Sequence, residues 1–311
     1  MKALRFVLLL FWLLALTRAL ADLAPYGSLI KKDATAGPLP DSGVRITYLG
    51  TNGYLLESKG CTLLVDPYFS RQSLGRITLD LAIASDPQLV KEWLRAGGVH
   101  GNVDALLVTH GHFDHLLDAP AVIRDTGARL ITSRSSVYLA ESAGVSPVKC
   151  QTVSWGDAAT VGPARILVLP AAHDRILGQV PFPGERTSPG RVTIASDWVC
   201  GEPLGFLISM GGKRIYIDSG GRPGTPLPHV GPVDLAIIGV ALPDARNRLA
   251  ALLKQLRPRL FLPSHQDNFF QPLNRGFSFN SLTDFPGVLR IARETGTTPM
   301  LLEYFQPWTL R

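Results

Sequence analysis

A stretch of six residues contains four side chains that can bind metal ions: His110, His112, Asp114 and His115. Successive residues of a helix rotate by about 100°, so an i, i+2 pair on a helix would point about 200° apart. His110 and His112 can therefore share one ion only from extended or looped backbone, and Gly111 between them permits a bend. Asp114 and His115 project differently from the first pair, which favours a second ion beside the first.

The apolar run at 105–108 directly precedes this stretch and predicts a strand that delivers the loop. Three imidazoles and a carboxylate at this density are difficult to explain as solvated surface, because the whole chain contains 7 histidines. The alternative is a polar loop whose histidines are satisfied by hydrogen bonds, and short motifs do produce such false positives. We interpret the stretch as a metal-binding loop.

Three more candidate ligands stand at the ends of predicted strands, where a site built on a sheet gathers its side chains: His173, Asp218 and His265. A fourth strand-end residue, Asp66, has two interpretations. It could lie in the second shell of a metal site and accept the remaining N–H of a bound imidazole. It could instead be a turn-forming residue before Pro67.

Apolar periodicity and turn residues predict the other elements. The predicted strands are 45–49, 54–57, 61–65, 129–132, 152–155, 165–169, 205–209, 213–217, 233–239, 259–263 and 300–305. The predicted helices are 87–96, 120–125, 136–142, 244–256 and 285–295. Asn52 and Gly53, a pair that accepts positive φ, are expected to form the first hairpin turn.

Two long segments are expected to surround the site. Residues 178–201 are rich in Gly, Pro and polar residues and predict a loop that covers the site, with Phe182 and Trp198 as its large apolar members. Aromatic side chains in the connection before the metal-binding loop either line a substrate entrance or pack in the core. These side chains are Tyr68, Phe69 and Trp93.

The chain has 311 residues, of which 46% are hydrophobic and 18% are charged, an ordinary globular composition. No low-complexity segment or fixed-period repeat divides it. We expect a single domain at 44–311. Residues 22–43 contain several Pro and Gly residues without apolar periodicity, so they are expected to form an N-terminal arm.

Residues 1–21 have the pattern of a secretory signal peptide. Lys2 and Arg5 precede an uncharged apolar run, and an A-x-A cleavage site ends at Ala21. The run is too short for a comfortable membrane span of about 20 residues. We therefore expect an exported protein, periplasmic or secreted, with no stable membrane span after cleavage; an uncleaved anchor is the alternative.

Charge and cysteine content exclude several classes of partner and scaffold. Removal of the predicted signal peptide lowers the formal net charge from +6 to +3. No cluster of Lys and Arg resembles a nucleic-acid groove, so no nucleic-acid partner is expected. Cys61, Cys150 and Cys200 lack the spacing of a zinc ribbon. Export would allow one disulfide among them, and buried free thiols are the alternative.

The H-x-H-x-D-H loop, followed in order by the three strand-end ligands, resembles the metallo-β-lactamase superfamily from about Val44 to the C-terminus. The resemblance implies an α/β fold, the αββα four-layer sandwich, with a dinuclear site between two sheets. The implied ligands of one metal are His110, His112 and His173. Those of the second metal are Asp114, His115 and His265. Asp218 is the implied bridge between the two metals, and His229 nearby is a further candidate ligand.

Two divalent ions about 3.5 to 4 Å apart lower the pKa of a bridging water toward neutrality and brace the oxygens of the attacked group, which is the chemistry of hydrolysis. Imidazole and carboxylate ligands without sulfur favour Zn²⁺, and they are compatible with Mn²⁺ or Fe. The resemblance implies that a metal-bridging hydroxide attacks the substrate and that Asp114, as the catalytic carboxylate, orients it.

The segments 46–50 and 63–67 resemble the branch that contains the ascorbate-phosphate lactonase and the N-acylphosphatidylethanolamine phospholipase D. This likeness implies a small-molecule or lipid-like substrate with a phosphodiester, lactone or related ester bond. In the diiron oxidoreductase branch a Glu occupies the position of His112, so that branch is disfavoured. The alternative function is a non-catalytic metal-binding or partner-binding protein that retains the fold.

Overall fold

Two seven-stranded sheets lie face to face in the computed structural model, which describes residues 22–34, 37–220, 227, 230–243 and 248–311. Helices cover the outer surface of each sheet. This arrangement is the predicted αββα sandwich. The predicted signal peptide and His229 lie outside the described residues.

The first sheet has the strand order β14-β1-β2-β3-β4-β5-β6. Its strands are β1 (Val44–Gly50), β2 (Gly53–Ser58), β3 (Cys61–Val65), β4 (Ala105–Leu107), β5 (Arg129–Thr132), β6 (Cys150–Thr152) and β14 (Pro307–Leu310). The pairs β3–β4, β4–β5 and β5–β6 are parallel, whereas the pairs β14–β1, β1–β2 and β2–β3 are antiparallel. The carboxyl ends of β3 and β4 therefore lie at the same edge.

The second sheet has the strand order β13-β12-β11-β10-β9-β8-β7. Its strands are β7 (Ala158–Val161), β8 (Ala164–Pro170), β9 (Leu204–Met210), β10 (Lys213–Asp218), β11 (Leu235–Gly239), β12 (Leu260–Ser264) and β13 (Thr298–Pro299). Strands β7 to β10 form an antiparallel meander, and β10 to β13 are parallel. Because β8 and β10 both pair antiparallel with β9, the carboxyl ends of β8, β10 and β12 lie at one edge.

The helices are divided between the two outer faces. Those on the first sheet are α1 (Leu74–Thr78), α2 (Pro87–Ala96), α3 (Phe113–Leu116), α4 (Ala119–Thr126) and α5 (Arg134–Ser142). Those on the second sheet are α6 (Arg248–Leu256) and α7 (Phe285–Glu294). Short 3₁₀ turns occur at Ala24–Leu29, Pro147–Lys149, Ala195–Asp197 and Leu273–Arg275.

Both faces of each sheet are buried because side chains alternate between them. In β3, Leu63 and Val65 point into the core between the sheets, whereas Leu64 points toward the helices. In β11, Ile237 points inward and Ile238 packs toward the helices of the second sheet. This double burial explains why the strands have near-continuous apolar sequences, and it makes the strand ends rigid supports for a site.

The first hairpin turn differs from its prediction. Gly50 pairs with Gly53, so Thr51 and Asn52 form the turn, and positive φ occurs at Gly50 (95°) and Thr51 (55°). Asn52 is fully buried, and its side-chain amide forms hydrogen bonds with groups near the metal-binding loop. The turn therefore belongs to the site rather than to the surface.

Two strand predictions near the ends of the sheets also need correction. The strand at 152–155 lies earlier, at β6, because Trp155 is in a turn where its indole N–H donates to the carbonyl of Pro203. The predicted closing strand at 300–305 is wrong, and β14 closes the first sheet instead. The apolar residues at 300–305 cross from one sheet to the other: Met300 and Leu302 fill the space between the sheets. Because these residues are buried, their sequence has the same apolar pattern as a strand.

The described part of the N-terminal arm lies against this domain. The peptide N–H of Leu301 donates to the carbonyl of Leu29, and that of Lys31 donates to the carbonyl of Leu301. Tyr26 contacts Phe279 and Phe285 edge-on, with ring centroids 5.7 and 4.9 Å away.

Two further observations concern membrane-spanning helices and the state of the cysteines. In the described part of the chain, no helix combines the length and the apolar character that a membrane span requires. The three cysteines are free thiols, and Cys61 and Cys200 are buried.

Candidate metal centre

The metal-binding loop begins where β4 ends and runs into the short helix α3. His112 has extended backbone angles (φ −64°, ψ 153°) and precedes the first turn of the helix, which contains Asp114. A carboxylate in the first turn is favoured by the helix dipole. The loop therefore presents His110 and His112 from non-helical backbone, as predicted, and presents Asp114 and His115 from a helical turn.

Gly111 is required by space rather than by positive φ. A Cβ atom at this position would lie 2.3 Å from the carbonyl oxygen of Val199 and 2.7 Å from Cδ1 of Leu139. The Gly111 N–H donates to the carbonyl of Cys200 at 2.9 Å. The loop is thus fixed against the segment 178–201, and any side chain at 111 would push the two apart.

The first group of three ligands consists of His110, His112 and His173. Nε2 of His110 lies 2.9 Å from Nδ1 of His112, and the ring of His173 is centred 4.9 and 4.6 Å from these two rings. His173 follows β8, so the second sheet delivers it to a site whose other two members come from the first sheet. One nitrogen from each ring lies within 4.8 Å of the other two.

The second group consists of Asp114, His115 and His265. Oδ2 of Asp114 lies 3.2 Å from Nε2 of His265 and 3.6 Å from Nε2 of His115. His265 follows β12, and its φ of 56° is unusual for a residue other than glycine. The rings of His110 and His115 are centred 4.1 Å apart, so the two groups are adjacent.

The electrostatics of the first group favour neutral imidazoles. Desolvation, reinforced by the neighbouring histidines, lowers the pKa of His112 to about 3 and holds the pKa of His110 well below its usual range. Desolvation also lowers the pKa of His173 to about 4. Neutral imidazole is the form that binds metals, so these rings are ready to act as ligands near neutral pH.

The second group carries the negative charge. Burial would raise the pKa of Asp114, but His115 and His265 hold it below its usual range, so the carboxylate is ionised. For His115, desolvation lowers the pKa, while Asp114 and Asp66 raise it above its usual value.

Asp66 lies behind His115, as the second-shell interpretation predicts. Its Oδ2 accepts hydrogen bonds from the Thr109 hydroxyl (2.6 Å) and the Asn52 amide (2.8 Å), and lies 2.8 Å from Nδ1 of His115. Its Oδ1 accepts the Thr109 N–H. Asp66 also has positive φ (38°), a strained conformation of the kind that persists at functional sites.

Asp218 lies at the predicted strand end but belongs to neither group of three. Its Oδ2 accepts a hydrogen bond from the Tyr216 hydroxyl at 2.8 Å, and its Oδ1 accepts the Gly220 N–H at 2.9 Å. Burial raises the pKa of Asp218 to about 6. The next residue, Ser219, reaches the first group instead, with its hydroxyl 3.2 Å from Nδ1 of His110.

A buried network that the sequence did not indicate supports His265. The His265 N–H donates to the carbonyl of Thr51 at 2.7 Å, and the Thr51 N–H donates to the carboxylate of Asp267. Arg71 forms an ion pair with Asp267 at 2.6 Å, and both side chains are almost fully buried. Asp267 lies two residues after a predicted ligand, which was the one sequence signal available.

A cavity of about 520 Å³ opens onto both groups of ligands. His112, Asp114, His173 and His265 form one wall. Phe182 lines the cavity as predicted for the covering loop, whereas Trp198 is buried in the core of the first sheet. Tyr68 and Phe69 are also core residues, and Trp93 stacks on Phe305 at 5.0 Å, so these three side chains pack rather than line an entrance.

The donor set fits two divalent cations. Neutral imidazole nitrogens that face one another, as in His110 and His112, cannot all be satisfied by mutual hydrogen bonds, because a neutral ring has one donor. Cations that accept electron pairs from the converging nitrogens and from the ionised Asp114 satisfy the whole set. Imidazole with one carboxylate and no thiolate suits Zn²⁺ and related first-row ions.

Comparison with known proteins agrees with this architecture. Residues 45–265 match the family described as "Beta-lactamase superfamily domain". A metal-dependent hydrolase of Carboxydothermus hydrogenoformans is 26% identical over 234 residues, which cover 73% of this chain and 86% of that protein.

Two solved structures share the fold. A metallo hydrolase of Ignicoccus hospitalis has a TM-score of 0.58 at 18% identity, over 87% of this chain and 99% of its own. The metallo-β-lactamase-fold protein YhfI of Bacillus subtilis has a TM-score of 0.53 at 14% identity, over 86% and 100%. Because the family match at residues 45–265 covers more than half of the chain, the chain belongs to the metallo-β-lactamase superfamily.

Proposed function

We propose that this protein is a dinuclear metal-dependent hydrolase that cleaves a phosphodiester, a lactone or a related ester. The observation that carries the proposal is the pair of adjacent ligand groups on one wall of a substrate-sized cavity. Bound divalent ions would supply an activated water near neutral pH and stabilise negative charge on the attacked group. The name of the relative from Carboxydothermus hydrogenoformans supports metal-dependent hydrolysis.

The side chains of this protein have separate tasks in the proposed site. His110, His112 and His173 would hold one ion, Zn²⁺ in the first instance. Asp114, His115 and His265 would hold the second ion. Asp114 lines the cavity and carries the negative charge of its group. We therefore propose that Asp114 orients the attacking water.

Asp66 is proposed to fix His115 rather than to bind metal. Its Oδ2 accepts the Nδ1–H of that ring, which leaves Nε2 free to face Asp114. Such carboxylates behind a ligating imidazole set its tautomer and raise its basicity. Asp218 as a bridge between the ions stays a prediction, supported by its position at the end of β10 beside Ser219.

The location and the branch also stay proposals. Export is supported by the signal-peptide pattern of residues 1–21. The branch that contains the ascorbate-phosphate lactonase and the phospholipase D is supported by the segments 46–50 and 63–67.

The test is hydrolysis of three model substrates by protein purified without chelators: bis(p-nitrophenyl) phosphate, a p-nitrophenyl ester and a γ-lactone. We expect turnover of at least one substrate, its loss on treatment with EDTA, and its recovery with Zn²⁺ or Mn²⁺. Asp114→Asn should retain the fold and lose most of the rate. Metal binding without turnover of any of the three would favour the alternative of a non-catalytic binding protein.

A further inference from the structure

Apart from the four candidate ligands, most of the residues that line the cavity are apolar, and seven of them are aromatic. They come from distant parts of the chain: the N-terminal arm, the covering loop, the segment after β12 and the start of α7. The aromatic lining residues other than Phe113 are Tyr26, Phe182, Phe269, Phe270, Phe279 and Phe285. A cavity of this size and composition is typical of a binding site for a small apolar molecule.

Two of the phenyl rings stand directly beside the two ligand groups. The ring of Phe182 contacts His112 edge-on with centroids 6.0 Å apart, and the ring of Phe269 contacts His265 edge-on with centroids 4.7 Å apart. A molecule attacked between the groups would therefore have an aromatic surface on each side. Both rings are only half-buried, so apolar surface remains for a ligand to cover.

The charged residues that line the cavity also favour an apolar ligand. Among the lining residues that the structure describes, there is no Lys or Arg, and Asp114 and Asp174 are the acidic members. Asp174 is paired with Arg248 at 2.7 Å. A second anionic group on the substrate, away from the ligands, would meet no cation among the described lining residues, whereas an apolar chain has no charge to desolvate.

We propose that the substrate is an ester whose acyl group is an uncharged apolar chain, and that this chain lies between Phe182 and Phe269 and extends toward Phe279 and Phe285. The proposal rests on the hydrolase function proposed above and names its substrate class. Attack of water at the ester carbonyl breaks the bond to the alkoxy oxygen, so the products are the carboxylic acid, which holds the apolar chain, and the alcohol.

The first measurement is kcat/KM of the Zn²⁺-loaded protein for p-nitrophenyl acetate, butyrate, hexanoate and octanoate. Burial of a methylene is worth about 0.8 kcal/mol, so each added methylene should raise kcat/KM about threefold to fourfold until the cavity is full. Phe182→Ala and Phe269→Ala should flatten this dependence, and Phe182→Leu should keep most of it. Val148→Ala, an exposed apolar residue that does not line the cavity, is the matched control and should leave it unchanged.

The second measurement separates this proposal from the proposed function. Isothermal titration calorimetry of the Zn²⁺-loaded protein compares octanohydroxamate with acetohydroxamate, which share a metal-binding group and differ in chain length. Tighter binding of the longer compound, lost in Phe269→Ala, supports the apolar-chain site even if neither the esters nor the other model substrates are hydrolysed, and in that case the hydrolase proposal fails. Equal binding of the two compounds overturns the apolar-chain site, even if the short esters are hydrolysed.

Discussion

Oδ2 of Asp66 lies 2.8 Å from Nδ1 of His115, and both side chains are buried. The same oxygen accepts hydrogen bonds from Thr109 and Asn52. Asp66 thereby joins the end of β3 and the first hairpin turn to the loop that contains most of the proposed ligands. The orientation of His115 thus depends on groups that do not themselves face the cavity.

Substitution of Asp66 by Asn tests this dependence. The amide nitrogen of Asn cannot accept the hydrogen bonds that the carboxylate accepts, so His115 loses its fixed tautomer and orientation. We expect the affinity for Zn²⁺ to fall about 10-fold to 100-fold, measured by competition with a chromophoric chelator. Asp157→Asn, an exposed carboxylate in a turn, is the control. Equal affinity in the Asp66 variant and the wild-type protein would show that the carboxylate does not orient the ligand.

Gly111→Ala tests the close approach between the metal-binding loop and the segment 178–201. The new methyl group would overlap the carbonyl of Val199, so the loop must move. We expect a loss of about 1 to 3 kcal/mol in the free energy of unfolding, measured by urea denaturation, together with weaker Zn²⁺ binding. Gly101→Ala, where a Cβ would meet nothing within 4 Å, should be nearly neutral. The explanation fails if the two variants behave alike.

Asp267→Asn tests the buried network behind His265. The substitution leaves the charge of Arg71 buried without its partner, and such a change typically costs about 3 to 5 kcal/mol. We expect a loss of this size in urea denaturation of the metal-free protein. The exposed pair of Lys59 and Asp41 provides the control, since Asp41→Asn should not change stability measurably. A variant at 267 as stable as the wild-type protein would contradict the role of the network.

Asp218 should make the stability of the metal-free protein depend on pH. Burial raises its pKa from 3.8 to about 6 in the folded state, so the folded state binds this proton more tightly than the unfolded state does. The contribution is therefore fully present below about pH 4 and is lost as the pH rises through about 6. Relative to Asp218→Asn, the wild-type protein should lose up to about 3 kcal/mol of unfolding free energy between about pH 4 and pH 7. A constant difference across this range would show that Asp218 does not titrate as described.

Residues that are close in sequence, or that follow an apolar run, could be predicted. The spacing of His110 to His115 and the strand ends before His173 and His265 indicated the candidate ligands, and the resemblance to the superfamily implied how they divide into two groups. Helix α2 could also be placed, since Pro87 begins it and a pair of glycines follows it.

Contacts between distant residues could not be predicted. Arg71 and Asp267 are 196 positions apart, and no local sequence pattern indicates their ion pair. The direction of the Asp218 carboxylate depends on the hydroxyl of Tyr216 and the N–H of Gly220, which sequence order does not reveal. The strand predicted at 300–305 was wrong for a related reason, because burial between two sheets gives the same apolar pattern as a strand.

The central claim is that two groups of three ligands each hold one metal ion. Elemental analysis of the metal bound per chain, on protein purified without chelators, tests it most directly when the wild-type protein is compared with His110→Ala and His265→Ala. The account predicts about two ions per chain in the wild-type protein and about one in each variant, because each substitution removes a ligand from one group. No bound metal in the wild-type protein, or a wild-type content that both variants retain, would contradict it.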